Sequence, residues 1–279
     1  MEATPVTTEV SHESTIFAEP IAHVGPLTIT NSLLTSWIAV LIIVVLSLVI
    51  GKKAKAIPGK LQATVEAIID AAMNLADSVT NDRAITVKIF PLVFAVFIFI
   101  IINNWLGLLP GVGSIGWIEQ AEGHNMFVPL LRGGTADVNT TLALSLFSII
   151  AANVFGVMIV GGWNYFNKFI NVKTLMSIPA DMRHNKAAII VNPIQFFVGL
   201  IEIIGEFAKV ASLSFRLFGN VFAGEVLLAA MAALFAFILP IPFMFLEVMV
   251  GLIQALIFSV LTLVYFTIAA QDHSEEGSH

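Results

Sequence analysis

Glu202, Lys209 and Arg216 follow one another at seven-residue intervals in a stretch of otherwise apolar sequence. On a helix each residue turns about 100°, so the three share a face, and Asn220 lies one turn further along it. Glu225, nine residues past Arg216, belongs to the opposite face of the same helix. Glu247 and Gln254, again seven apart, share a face of the next apolar run. The chemistry on offer is charge pairing, with a shared proton where two carboxylates meet. Carboxylates exchange protons when desolvation or a neighbouring charge tunes them, whereas a guanidinium keeps its charge throughout.

Such charges are expensive in hydrocarbon, about 2.5 kcal/mol each by the lowest scales. Neutralisation within the chain is one reading. Glu202 then pairs with Lys209 or Glu206, and Glu225 pairs with Glu247 if one of them holds a proton. Arg216 resists that reading, because its neighbours four residues either way are Ser212 and Asn220. An arginine so placed asks for a carboxylate from another chain, since intramembrane ionisable groups default to function.

The elements that must carry these residues are membrane helices. The 279 residues are 58% hydrophobic and 11% charged, with a mean hydropathy of +0.94. A soluble domain carries about 25% charged residues. The net charge of -6 therefore says little about nucleic acid, and none is expected as a partner. With no cysteine, disulfides, thiolate metal sites and a cysteine nucleophile are excluded. No lysine or arginine precedes Lys52, so the start does not read as a signal peptide or an Arg-rich transit peptide. Glu2, Glu9, Glu13 and Glu19 make residues 1–32 an acidic, external tail.

Apolar runs predict spans at about 33–51, 89–109 and 139–161. The basic stretch "GKKAKAIPGK" after the first span places its end in the cytoplasm and the N-terminus outside. If the spans alternate, cytoplasmic segments hold ten of the thirteen basic residues, including Lys168, Lys173, Arg183 and Lys186. The external loop holds Arg132 alone, and Lys209 and Arg216 remain in the membrane. The tail 271–279 is then cytoplasmic. Between the first two spans, 61–82 has one apolar stripe (Leu61, Val65, Ile68, Ala72, Leu75, Val79) and an acidic opposite face. It predicts a helix on the cytoplasmic surface, docked on protein or lipid. From Pro193 to Leu239 no loop interrupts the run, and "PIP" precedes a return over 243–270. At 1.5 Å per residue the first arm is roughly 70 Å long, against about 30 Å of hydrocarbon. A long, steeply tilted helical hairpin is the prediction, within a single all-α polytopic membrane domain, 33–270.

Other motifs are silent. "GVGSIG" (111–116) lacks the strand before and the helix after that a dinucleotide site needs, so a turn is expected. Asn139-Thr140-Thr141 is a glycosylation sequon only in a glycosylating compartment. The histidines lack metal-ligand spacing, and neither a metal site nor a cofactor is expected. No nucleophile elbow, HExxH or P-loop occurs.

"SLSFRLFGNVFAGE", Ser212 to Glu225, closely resembles subunit a of rotary F-type ATP synthases, whose pattern is S-L-x-x-R-L-F-G-N-x-x-A-G-E. "NNWLGLLPG" (Asn103 to Gly111), "ADVNTTLALSL" (Ala136 to Leu146) and "LIQALIFSVLTLVY" (Leu252 to Tyr265) match in order. The resemblance implies that Arg216 faces a rotating ring of c subunits, each with a buried carboxylate, and that the tilted hairpin lies against that ring. It implies two half-channels separated by Arg216. Asn220, Glu225, Glu247 and Gln254 would line the outer one, Glu202 the cytoplasmic one, and Asp137 and Asn139 the outer vestibule. Ser212, Lys209, Gly219 and Gly224 would support the motif. Peripheral-stalk b subunits, the remaining synthase subunits, membrane lipid, and protons or sodium ions follow as partners, and a bacterial plasma membrane as the setting. No catalysis by the chain alone is implied. Some family members have histidine where this chain has Glu247. A stand-alone transporter and a non-conducting scaffold are the competing readings. The first predicts ion flux without a ring, the second that Arg216 matters for assembly alone.

Overall fold

The computed structural model describes residues 10–11, 15–53, 55, 57–121, 124–163, 165, 188–235 and 238–270. Six helices dominate the described residues: α1 (Asn31–Lys53), α2 (Lys60–Thr80), α3 (Arg83–Gly107), α4 (Val138–Val160), α5 (Ala188–Leu234) and α6 (Pro240–Ala270). All except α2 are long and apolar enough to cross a membrane. The chain is a polytopic helical membrane protein. Lys168, Lys173, Arg183, Lys186 and the tail 271–279 lie outside the described residues.

Helices α3 and α6 form the centre, and two apolar clusters fix it. In the first, Ala76 of α2, Ile89, Phe90 and Val93 of α3, Ala152 of α4, and Leu263 and Phe266 of α6 pack together. In the second, Val96, Ile100 and Ile101 of α3 meet Leu213 and Leu217 of α5 and Ala255 and Phe258 of α6. In lipid the gain comes from close packing and interhelical hydrogen bonds rather than from leaving water. Gly156 shows how tight the fit is. A Cβ there would lie 2.6 Å from the Ala269 carbonyl oxygen and 3.1 Å from its Cβ. Gly156→Leu is therefore expected to push α4 off α6 and destabilise by about 1–3 kcal/mol. Thermal unfolding in detergent checks it, an unchanged midpoint contradicting the packing.

The packed face of α2 is turned from the stripe read in the sequence. Ile69, Ala72, Met73, Ala76 and Val79 pack on the core, while Leu61, Ile68 and Leu75 stay exposed. The apolar arc is wider than the contact, and its outer flank is left for lipid or protein.

Polar ties hold the end of the bundle where α3 finishes and α4 begins. Asp137 caps α4, accepting from the amides of Asn139 and Thr140 and from the Ala18 amide. Asn104 donates to the Gly251 carbonyl at 3.0 Å and accepts from Thr135 at 2.6 Å. Asn103 is wholly buried and accepts from Ser36. These ties join α1, α3, α6 and the 3-10 turn Gly134–Ala136.

Above this end the chain forms short strands. They are β1 (Val10–Ser11), β2 (Pro20–Val24), β3 (Leu27–Thr30), β4 (Pro110–Gly113), β5 (Gly116–Ala121) and β6 (His124–Pro129). β2 and β3 make an antiparallel hairpin. A second sheet has the order β1-β6-β5, with β1 parallel and β5 antiparallel to β6. The stretch read as a polar tail thus contains a folded hairpin. "GVGSIG" spans the end of β4 and the start of β5, so a strand rather than a helix follows it.

Candidate functional site

Two polar groupings lie along α5, one on either side of Arg216. At the β-capped end a cavity of about 390 Å³ opens between α3, α5, α6 and the 129–136 loop. Glu225, Glu247, Gln254, Asn104, Glu19 and Arg132 lie on its wall. Gln254 is 2% exposed and accepts from the Asn220 amide at 2.6 Å. Its own amide nitrogen has no partner among the described residues. Glu247 is 9% exposed, and no described residue offers it a hydrogen bond or ion pair. Gly224 is what gives it room, since a Cβ there would fall on the Glu247 carboxyl group.

That contact carries a prediction. The obstructed group is the end of a flexible side chain, so Gly224→Ala should fold and swing the Glu247 carboxyl away. Activity that depends on Glu247 is expected to fall about tenfold at unchanged assembly. Proton pumping by the purified complex measures it, and wild-type pumping would show that the position of Glu247 is immaterial.

Glu225 does not meet Glu247 in a shared-proton pair. It is held by Arg132, whose Nη2 lies 2.8 Å from Oε2, with Nε at 3.1 Å from Oε1. Sequence reasoning missed this pair. Arg132 sits in a long loop, and nothing in the spacing ties residue 132 to residue 225. Asp137 and Asn139 lie outside the cavity wall, which reaches Ala136. Asp137 is buried and committed to capping α4.

At the other end, Lys209 donates to Glu206 at 2.6 Å and lies 5.5 Å from the centre of the Tyr265 ring. Asn153 of α4 donates to the second Glu206 oxygen at 3.4 Å and accepts from the Tyr165 hydroxyl. Burial first, then Glu206 and Glu202, pushes the Tyr165 hydroxyl up to about 12, so it stays protonated as the donor. Glu202 lies half-buried one turn before Glu206. The sequence left Glu202 to pair with Lys209 or Glu206; in the structure those two residues pair with each other.

Between the two groupings stands Arg216. It is exposed on α5, and its hydrogen bond among the described residues is a 3.5 Å contact to Ser212. No described carboxylate pairs with it. Phe215 beside it is 64% exposed, and an added Cβ on Gly219 would meet nothing within 4 Å. Leu213 and Leu217, on the other side of the helix, are buried in the core. No group of three or more His, Asp or Glu side chains converges among the described residues.

The family described as ATP synthase A chain matches residues 33–267, a stretch that holds this arrangement except for Glu19. The chain belongs to that family. It is 31% identical to "ATP synthase subunit a" of Mycobacterium ulcerans over 255 residues, covering 90% of each protein. It is 29% identical to the protein of that name from Gloeobacter violaceus, covering 91% of this chain and 89% of the relative. It is 31% identical to "ATP synthase subunit a, chloroplastic" of Stigeoclonium helveticum, covering 86% and 85%. Family membership makes the chain a membrane component serving ATP synthesis and proton transport. In that light Arg216 is the arginine of "FRLFGN", and the cavity lies beside its helix.

Proposed function

We propose that the chain is the ion-translocating stator subunit of a rotary ATP synthase, and that Arg216 separates two offset half-channels. The observation that carries this is an arginine on an uncovered face of a membrane helix, with no carboxylate among the described residues of its own chain beside it. The missing partner is a carboxylate of the c-subunit ring. Burying an unpaired guanidinium is costly, so a ring carboxylate arriving opposite Arg216 gains a counter-charge and gives up its proton more readily, by about 1–3 pH units. The same charge repels a free proton and keeps the half-channels apart. Each elementary charge crossing 100 mV delivers about 2.3 kcal/mol to rotation.

The cavity bearing Glu225, Glu247 and Gln254, with Asn220 reaching Gln254, serves as the outer half-channel. Glu202 belongs to the cytoplasmic one. Asp137 and Asn139 support the outer vestibule by holding the start of α4. α5, at 47 residues, is roughly 70 Å long and fits about 30 Å of hydrocarbon when steeply tilted along the ring. The open space at Gly219 lets a ring helix approach closely. The N-terminus is outside and the tail cytoplasmic, in a bacterial plasma membrane. Peripheral-stalk b subunits and lipid cover the remaining apolar faces.

The natural absence of cysteine gives a clean test. Phe215→Cys should form a disulfide with a cysteine placed beside the ring carboxylate, and Leu213→Cys, 1% exposed, should not. Cross-linking from neither position would turn the Arg216 face away from the ring.

A further inference from the structure

The cavity holds an arginine, and it is not Arg216. Arg132 is 4% exposed, and all three of its guanidinium nitrogens donate. Nε and Nη2 go to the Glu225 carboxylate, Nη2 also to the Thr15 carbonyl at 2.8 Å, and Nη1 to the Thr15 hydroxyl and the Phe17 carbonyl. The strand of chain supplying those acceptors is itself tied down. The Ala18 amide donates to Asp137, and the Glu19 amide donates to Asn31, whose amide returns bonds to Glu19 and Pro129. The guanidinium is thereby fixed at the cavity wall by α5 and the 15–19 segment together. Both oxygens of Glu225 are engaged, whereas Glu247, across the same cavity, faces no described counter-charge.

We propose that Arg132 is a positioning residue of the ion path: it holds Glu225 as a fixed anion in the cavity wall and leaves Glu247 as the carboxylate that takes up and hands on the proton. The inference rests on the reading of the cavity as a half-channel. The charged groups facing the cavity are Glu19, Arg132, Glu225 and Glu247, and Glu19 is bonded to Asn31. A paired carboxylate cannot accept a proton without stranding its arginine in a buried site, which is strongly unfavourable. A buried carboxylic acid without a counter-charge has no such obstacle, and the 390 Å³ cavity leaves room for water beside it. Two neighbouring carboxylates sharing a proton, the alternative open in the sequence, are replaced by a division of labour.

The test is a rescue. In the purified whole complex, reconstituted in vesicles and checked for composition, Glu225→Gln strands Arg132 and Arg132→Gln strands Glu225. Each single variant is expected to lose about tenfold or more of ATP-driven proton pumping. Arg132→Gln with Glu225→Gln removes both charges and is expected to recover pumping to within about threefold of wild type. Glu247→Gln is expected to stay inactive in either background. A double variant as poor as Glu225→Gln alone overturns the proposal, because Glu225 would then be carrying protons itself.

A second arm needs no substitution. Dicyclohexylcarbodiimide adds to protonated carboxyls in apolar surroundings, and peptide mass spectrometry locates the adduct. An adduct on Glu247 with Glu225 unmodified is expected in the wild-type complex. An adduct on Glu225, or on neither, overturns the assignment even where the double variant fails to assemble. Failure of the half-channel reading itself would look different: Arg216→Gln would then still couple, whichever way the Arg132 variants behave.

Discussion

Glu247→Gln is expected to leave an assembled complex whose ATP-driven proton pumping falls by at least ~100-fold, the scale of a lost proton-transfer group. Glutamine matches the volume of the side chain, so the contact with Gly224 and the surrounding packing survive. What disappears is the exchangeable proton. Glu247 is the buried carboxylate of the cavity with no described partner, and in the proposed path no neighbour replaces it, since Glu225 is engaged by Arg132, Glu19 is bonded to Asn31 and Gln254 cannot ionise. Glu247→Asp keeps the chemistry one methylene further from its target and should fall between the two. Dye quenching in inverted vesicles measures the rate, and co-purification of the other subunits checks assembly. A glutamine variant pumping within about threefold of wild type would remove Glu247 from the proton path.

The helices and the central arginine were legible in the sequence because each is a local signal. Long apolar runs register directly as spans, and a charge inside one is conspicuous wherever its partner lies. Positions seven apart also grouped Glu247 with Gln254 correctly, and both line the cavity. What stayed hidden depends on distant contacts. Arg132 reads as an ordinary loop cation until α5 brings Glu225 beside it, 93 residues away. Asn103 and Asn104 stood in a matched motif without a stated role, and their ties to Ser36, Gly251 and Thr135 exist only once four segments meet. The strands at the β-capped end were missed because they are two to six residues long, too short for an alternation pattern to rise above a loop. The stripe of α2 was read to its full apolar width, and packing took one flank of it.

Arg216→Gln carries the other large effect. Glutamine keeps polarity but is shorter and supplies no charge, so in the proposed mechanism a ring carboxylate passing α5 would meet no counter-ion and would keep its proton. Synthesis is then expected to drop by at least ~1000-fold, since the charge acts in the step where a carboxylate must ionise in a water-poor site. The fold should tolerate the change, because Arg216 is exposed and makes a 3.5 Å contact to Ser212, leaving the buried Leu213 and Leu217 untouched. Arg216→Lys keeps a charge without the planar, permanently protonated fork and should recover a small fraction of the rate.

The most direct measurement is ATP synthesis driven by an imposed proton gradient in vesicles containing the whole complex, wild type against Arg216→Gln, with ring content verified and passive proton leak recorded alongside. An assembled variant that makes no ATP and, with its proposed separator gone, leaks protons without turning over is the expected result. Coupled synthesis by a fully assembled Arg216→Gln complex would contradict it and reduce the arginine to a structural contact.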